Sequence, residues 1–311
     1  MTRWSLTDAP AQSGRTAIVT GSNSGIGFRA AVGLAQRGAR VVMACRNVEK
    51  AQAALDRLRA AAPGSEAEVR ELDLADLSSV RDFAQGVDQV DLLVNNAGVM
   101  ALPYRRTADG FEMQLGTNHL GHFALTGLLM PTLLASEGPR VVTVSSFAHR
   151  MGSIAFDDLQ SERRYRKWSA YGRSKLANLL FCFELQRRAD AAGARLRSVA
   201  AHPGYAATDL QRTGPRMAGN KLEEIAMAMV NRVVAQSDEQ GALPTLYAAT
   251  MDLPGGAFVG PGGPGEMRGS PRLVSASKAA TDLGTAARLW EVSEELTGVR
   301  YDLAGRAATA T

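Results

Sequence analysis

Tyr171 and Lys175 stand four residues apart in Ala170-Tyr171-Gly172-Arg173-Ser174-Lys175. On a helix that spacing puts a phenol and an ammonium on one face. A free tyrosine titrates near ~10 and does little acid–base work at neutral pH. A fixed positive charge a few ångströms away favours the phenolate and lowers that value. Such a pair can pass a proton to or from a carbonyl or alcohol oxygen. The spacing also recurs by chance, so its meaning rests on what accompanies it.

A second pattern lies near the start. Residues 15–20 read as a short buried strand. Gly21-Ser22-Asn23-Ser24-Gly25-Ile26-Gly27 follows, then a helix-like run over 28–37. Strand, glycine turn and helix form the setting of a phosphate-binding loop. Glycines let backbone N–H groups approach a pyrophosphate, and a helix N-terminus favours its charge. The spacing is G-x-x-x-G-x-G rather than the G-x-G-x-x-G of the usual dinucleotide fingerprint.

These elements need a scaffold that brings strand ends together. Short apolar runs at 40–45, 68–72, 91–94, 140–144 and 196–200 alternate with amphipathic helical stretches. That alternation predicts a Rossmann-type, doubly wound parallel α/β sheet of about seven strands, with helices on both faces. No long polar linker breaks it before about residue 205, so one domain over 13–300 is expected. Residues 254–265 read as a glycine/proline loop around a short last strand. Residues 278–296 read as a C-terminal helix burying Leu283, Ala287 and Trp290.

With 311 residues, 45% of them apolar, the chain can fill a full core. The net charge of +4 comes from scattered basic residues, which argues against nucleic acid. Cys45 and Cys182 lie far apart in apolar runs, as reduced, buried thiols of an intracellular protein do. The four histidines show no metal-ligand spacing. The first 13 residues are polar, with neither a signal peptide nor a membrane span, so a cytoplasmic protein is expected.

The ordered motifs resemble the short-chain dehydrogenase/reductase family, and within it the retinol dehydrogenase-like group. Beyond the two patterns above they are Asp73-Leu74, Asn95-Asn96-Ala97-Gly98, Asn118-His119-Leu120-Gly121, Ser145-Ser146 and Pro203-Gly204. The resemblance covers about residues 13–300. It implies hydride transfer between a nicotinamide and an alcohol/carbonyl pair, with Tyr171 as proton donor or acceptor. It implies that Lys175 tunes Tyr171 and binds the nicotinamide ribose, and that Ser146, or in its place Ser145, bonds the substrate oxygen. Asn118 would hold a water that links Lys175 to solvent. Gly21, Ser22, Asn23, Gly25, Ile26 and Gly27 would cradle the pyrophosphate. Asp73 and Leu74 would meet the adenine; Asn95, Ala97 and Gly98 would line the adenosine side; Pro203, Gly204 and Thr208 would border the nicotinamide.

Cofactor choice turns on the end of the second strand. An acidic residue there favours NAD. This chain has Cys45 followed by Arg46, and an arginine pairs with a 2′-phosphate, so NADP(H) is expected over NAD(H). Residues 205–235 carry an apolar helical stripe, and the expectation is a substrate lid over a lipophilic pocket. The resemblance also allows a homo-oligomer. Two other readings share these motifs: a catalytically silent dinucleotide-binding regulator or scaffold, and a protochlorophyllide reductase-like enzyme.

Overall fold

The computed structural model describes residues 4–204 and 237–304. An eight-stranded sheet runs through it in the order β3-β2-β1-β4-β5-β6-β7-β8. The strands are β1 (Thr16–Thr20), β2 (Arg40–Cys45), β3 (Ala67–Glu71), β4 (Leu92–Asn95), β5 (Arg140–Val144), β6 (Arg197–Ala201), β7 (Phe258–Pro261) and β8 (Pro271–Leu273). All pairings are parallel except β7 with β8. The expectation of about seven strands therefore falls one short. The extra strand is a three-residue antiparallel edge, too short and too polar to carry a strand pattern.

β1, β4 and β5 are buried along their whole length, as strands covered on both faces must be. On one face pack α1 (Gly25–Gln36), α2 (Val48–Ala61) and α8 (Asp238–Thr250), around Val19, Leu34, Val41 and Leu246. On the other lie α3 (Leu77–Gln85), α5 (Gly121–Leu128), α7 (Lys167–Ala191) and α9 (Leu283–Thr297). There Phe123, Phe181 and Trp290 meet ring to ring. Strand order reverses between β1 and β4, and the carboxyl ends of the strands beside that reversal are the usual ligand position in such sheets.

Two local departures have physical causes. The C-terminal helix starts at Leu283, because Asp282 caps it by accepting from the Thr285 N–H; residues Lys278–Thr281 form a separate 3-10 turn. Leu283 is consequently a first-turn residue facing solvent and Ala287 is half-buried, while Ala286, Leu289 and Trp290 form the buried face. Asn118 does not lie in ordinary helix either. It falls in a π-helical turn, Gly116–Leu120, between the short α4 (Met113–Leu115) and α5. Such turns often mark functional sites.

Candidate active site

The glycine loop leaves β1 at Thr20 and enters α1 at Gly25. Gly21 and Gly25 adopt left-handed φ of 64° and 56°. A Cβ on Gly21 would stand 2.9 Å from the Ala97 Cα, and one on Gly27 would stand 2.3 Å from the Asn96 Nδ2. The loop is thus held against the β4 turn by backbone contact that side chains would block. At the head of α1 the Ser24 side chain makes no capping bond. Half-exposed glycines beside an uncapped helix N-terminus suit an anionic group such as a pyrophosphate.

Within this loop Asn23, Gly25 and Ile26 are half-exposed, whereas the Ser22 side chain turns inward and donates to the Val19 carbonyl at 2.9 Å. Asn95 also points inward: it is fully buried, and its amide donates to Thr126 at 2.9 Å. Its side chain therefore faces the core and not the strand ends where a ligand would bind. The neighbouring Asn96 bridges the two turns, donating to the Thr20 carbonyl at 2.8 Å. Its signal was present in the Asn95-Asn96-Ala97-Gly98 motif. Ala97 and Gly98 remain half-exposed. Arg46 is exposed, with a guanidinium nitrogen 4.0 Å from the Asp73 carboxylate. Leu74 is buried against Gly121, where a Cβ would come within 2.4 Å of the Leu74 carbonyl.

The second half of the site is carried by α7 and the 3-10 helix Phe147–Met151, which Ser146 caps. These approach through glycines. A Cβ on Gly152 would stand 2.4 Å from the Gly172 carbonyl, and one on Gly172 would stand 2.9 Å from the Ala148 carbonyl. This contact brings the Ser146 hydroxyl close enough to the Tyr171 phenol to favour its charged form. Ser145 instead buries its hydroxyl, donating to the Lys175 carbonyl at 2.8 Å. Of the two serines, Ser146 faces the phenol.

Lys175 lies beneath the Tyr171 ring, its Nζ 5.8 Å from the ring centroid, and donates to the Val144 carbonyl at 3.2 Å. The expected lowering of the phenol pKa does not appear. Burial pushes Tyr171 up to about 12, with the Ser146 hydrogen bond opposing. Burial also lowers Lys175 to about 8. The reason is placement: the ammonium faces the ring and a carbonyl, and the cost of desolvating the phenolate dominates.

Asn118 is fully buried and ties three elements together. Its Oδ1 accepts from the Val99 N–H at 2.7 Å, and its Nδ2 donates to the Val99 carbonyl and to Ser174, each at 2.9 Å. With its side chain committed, it reaches the Lys175 region by backbone and position. A Cβ on Gly98 would stand 3.1 Å from the Asn118 Oδ1 and 3.5 Å from the Lys175 Nζ, so a side chain there would crowd the Asn118 amide. His122, to which the sequence assigns no role, pins the two halves. Its Nδ1–H donates to the Asn118 carbonyl at 3.0 Å, which leaves Nε2 to accept from the Thr20 hydroxyl at 2.9 Å. Burial lowers His122 to about 4, which keeps it neutral.

Pro203 and Gly204 sit at the end of β6, half-exposed, with Gly204 at φ 69°. Thr208 and the expected lid over 205–235 lie outside the described residues. Both cysteines are buried, and burial raises both thiols, Cys182 to about 12. Among the described residues no cluster of three metal-ligating side chains forms, and no helix is long and apolar enough to cross a membrane.

Known proteins place this geometry. The chain is 42% identical over 297 residues to human (Homo sapiens) retinol dehydrogenase 12, covering 93% of this chain and 88% of that one. A crystal structure of an uncharacterized protein from Mycobacterium Paratuberculosis aligns with a TM-score of 0.81 at 48% identity, covering 97% of this chain and all of the other. The Pseudomonas aeruginosa RhlG/NADP active-site complex aligns with a TM-score of 0.61 at 25% identity, over 80% of this chain and 94% of that one. The family model for short chain dehydrogenase matches residues 15–218, and the chain belongs to that family of oxidoreductases, with retinol dehydrogenases among its homologues.

Proposed function

We propose that the protein is an NADP(H)-dependent oxidoreductase that interconverts an alcohol and a carbonyl on a lipophilic substrate. The observation that carries this is the Ser146 hydroxyl facing the Tyr171 phenol above Lys175, at the same carboxyl end of the sheet as the glycine loop. When bound, the nicotinamide supplies or accepts the hydride at the reacting carbon. The chain's own residues do the rest. Ser146 donates a hydrogen bond to the substrate oxygen, and Tyr171 gives that oxygen its proton in reduction or removes it in oxidation. A phenol pushed up to about 12 stays protonated at neutral pH, the form that reduction requires. In reduction Lys175 replaces the proton that Tyr171 gives up and takes one in turn from solvent, through a water that Asn118 would hold; in oxidation the flow is reversed.

The glycine loop fits a pyrophosphate for the reasons given above, and the RhlG structure holds NADP in its active site. The exposed Arg46 supports the preference for NADP(H), since its guanidinium is free to leave Asp73 for a 2′-phosphate. Lipophilic substrates are supported by apolar side chains beside the two catalytic groups. Phe147 and Met151 follow Ser146 with 47% and 64% of their surfaces exposed, and the Trp168 ring lies 6.4 Å from that of Tyr171. Retinoid-, steroid- and lipid-like carbonyls share this chemistry.

The test is a panel of polycyclic, long-chain and small polar carbonyls with NADPH in the dark, run beside the matching alcohols with NADP⁺. Turnover of the lipophilic compounds is expected. Dinucleotide binding without turnover of any compound would instead favour a silent regulator.

A further inference from the structure

The Pro203–Gly204 turn is held by a chain of side chains that begins far from it in sequence. The Gly204 N–H donates to the His202 Nδ1 at 3.2 Å. That nitrogen must therefore be the bare one, and Nε2–H donates to the Glu266 carboxylate at 3.1 Å. His202 is fully buried, and strand β7 makes room for it at Gly260, where a Cβ would stand 2.1 Å from Nε2. The other Glu266 oxygen lies 3.5 Å from Arg150, which belongs to the 3-10 helix capped by Ser146. Glu266 reaches this position only because it and Gly265 both adopt left-handed φ, 57° and 60°. For a glutamate that conformation is uncommon and costs free energy that its surroundings must repay. Gly204 packs on the same loop: a Cβ there would stand 2.4 Å from the Met267 carbonyl. On the opposite side His149 donates from Nδ1 to the Ser146 carbonyl at 2.7 Å, and Phe258 lies between the two histidine rings at 5.7 and 5.2 Å.

We propose that Glu266, joined to Arg150, acts through His202 as a positioning residue that fixes the Pro203–Gly204 turn relative to Ser146. This rests on the reading of that turn as the nicotinamide wall. The strained Glu266 backbone and the glycines on either side of His202 then have one purpose. They hold a buried neutral imidazole in the one tautomer that can accept from Gly204.

Binding by the full-length chain tests this without any substrate. Calorimetric titration with NADP⁺ reads the whole cofactor site, and titration with 2′,5′-ADP reads the adenosine half alone. Glu266→Ala should weaken NADP⁺ by about 3- to 10-fold, the size of one hydrogen bond. The same variant should leave 2′,5′-ADP unchanged. Glu266→Gln keeps an oxygen that accepts from Nε2–H and should restore NADP⁺ binding. Unchanged NADP⁺ affinity in Glu266→Ala, or equal weakening of both ligands, overturns the proposal. If Glu266→Ala does not fold, Arg150→Gln on the half-exposed side of the pair should show a smaller loss confined to NADP⁺. The absence of that loss also overturns the proposal. A wild type that binds NAD⁺ in place of NADP⁺ is read with NAD⁺ and 5′-ADP. One that binds no dinucleotide removes the proposed function and this inference together.

Discussion

Around Gly21 and Gly27 the site is made of backbone; around Tyr171 it is made of buried side chains that titrate. On the proposed reading, function in the first region depends on the absence of Cβ atoms and on one exposed arginine. In the second it depends on a phenol moved up to about 12 and an ammonium moved down to about 8, both by burial. The regions meet at Thr20, His122 and Asn118. The difference implies that damage to the first should appear as lost cofactor affinity, and damage to the second as lost turnover.

Lys175 is the residue expected to blur that division, because the proposed function gives it both proton transfer and the nicotinamide ribose. Lys175→Met should lower kcat by about 10³-fold, within the range of acid–base catalysis, and weaken cofactor binding as well. Turnover kinetics beside cofactor titration separate the two losses; an unchanged Kd would confine Lys175 to proton transfer. On the backbone side, Arg46→Asp removes a charge-assisted phosphate contact of about 1.5–3 kcal/mol, so NADPH should lose about 10- to 150-fold in affinity. NADH should lose little, and equal Kd values for the two cofactors in wild type would remove Arg46 from specificity. Gly27→Ala drives a methyl into Asn96 and the Gly21 carbonyl, an overpacking cost of about 1–3 kcal/mol. Titration of the folded variant should show weaker dinucleotide binding with kcat at saturation close to wild type.

The smallest effect is one of pH. Lys175 titrates near 8, so its ammonium is present below that pH and lost above it. If the ammonium is the active form, kcat/KM for reduction should be flat below pH 8 and fall about tenfold per unit above it. Tyr171, still protonated there, contributes no second limb. A profile flat to pH 10 would detach the ammonium from the rate.

The placement of the motif residues in the fold was more legible in the sequence than their electrostatics. The motif residues fall at strand ends and helix starts because short buried runs and glycine turns have strong local signatures, and strand limits shifted by about a residue. The inward turn of Ser22 and Asn95 was not legible: Ser22 lies in a turn outside any periodic pattern, and β4 is buried on both faces, so no alternation marks which way Asn95 points. The sign of the Tyr171 shift was not legible either: spacing shows that an ammonium is near, but not that the phenol is sealed from water. The Glu266–His202 pair spans 64 positions and rests on two left-handed residues in a Gly/Pro loop. No local pattern encodes such a contact.

Tyr171→Phe measured for both turnover and cofactor affinity bears most directly on the division between the two regions. The variant deletes one hydroxyl and leaves the ring, the Trp168 contact and the glycine loop in place. NADPH should bind with a Kd close to wild type, while kcat on a lipophilic carbonyl should fall by about two orders of magnitude or more. A variant that keeps wild-type kcat, or loses cofactor binding in step with turnover, would contradict the assignment of proton transfer to Tyr171.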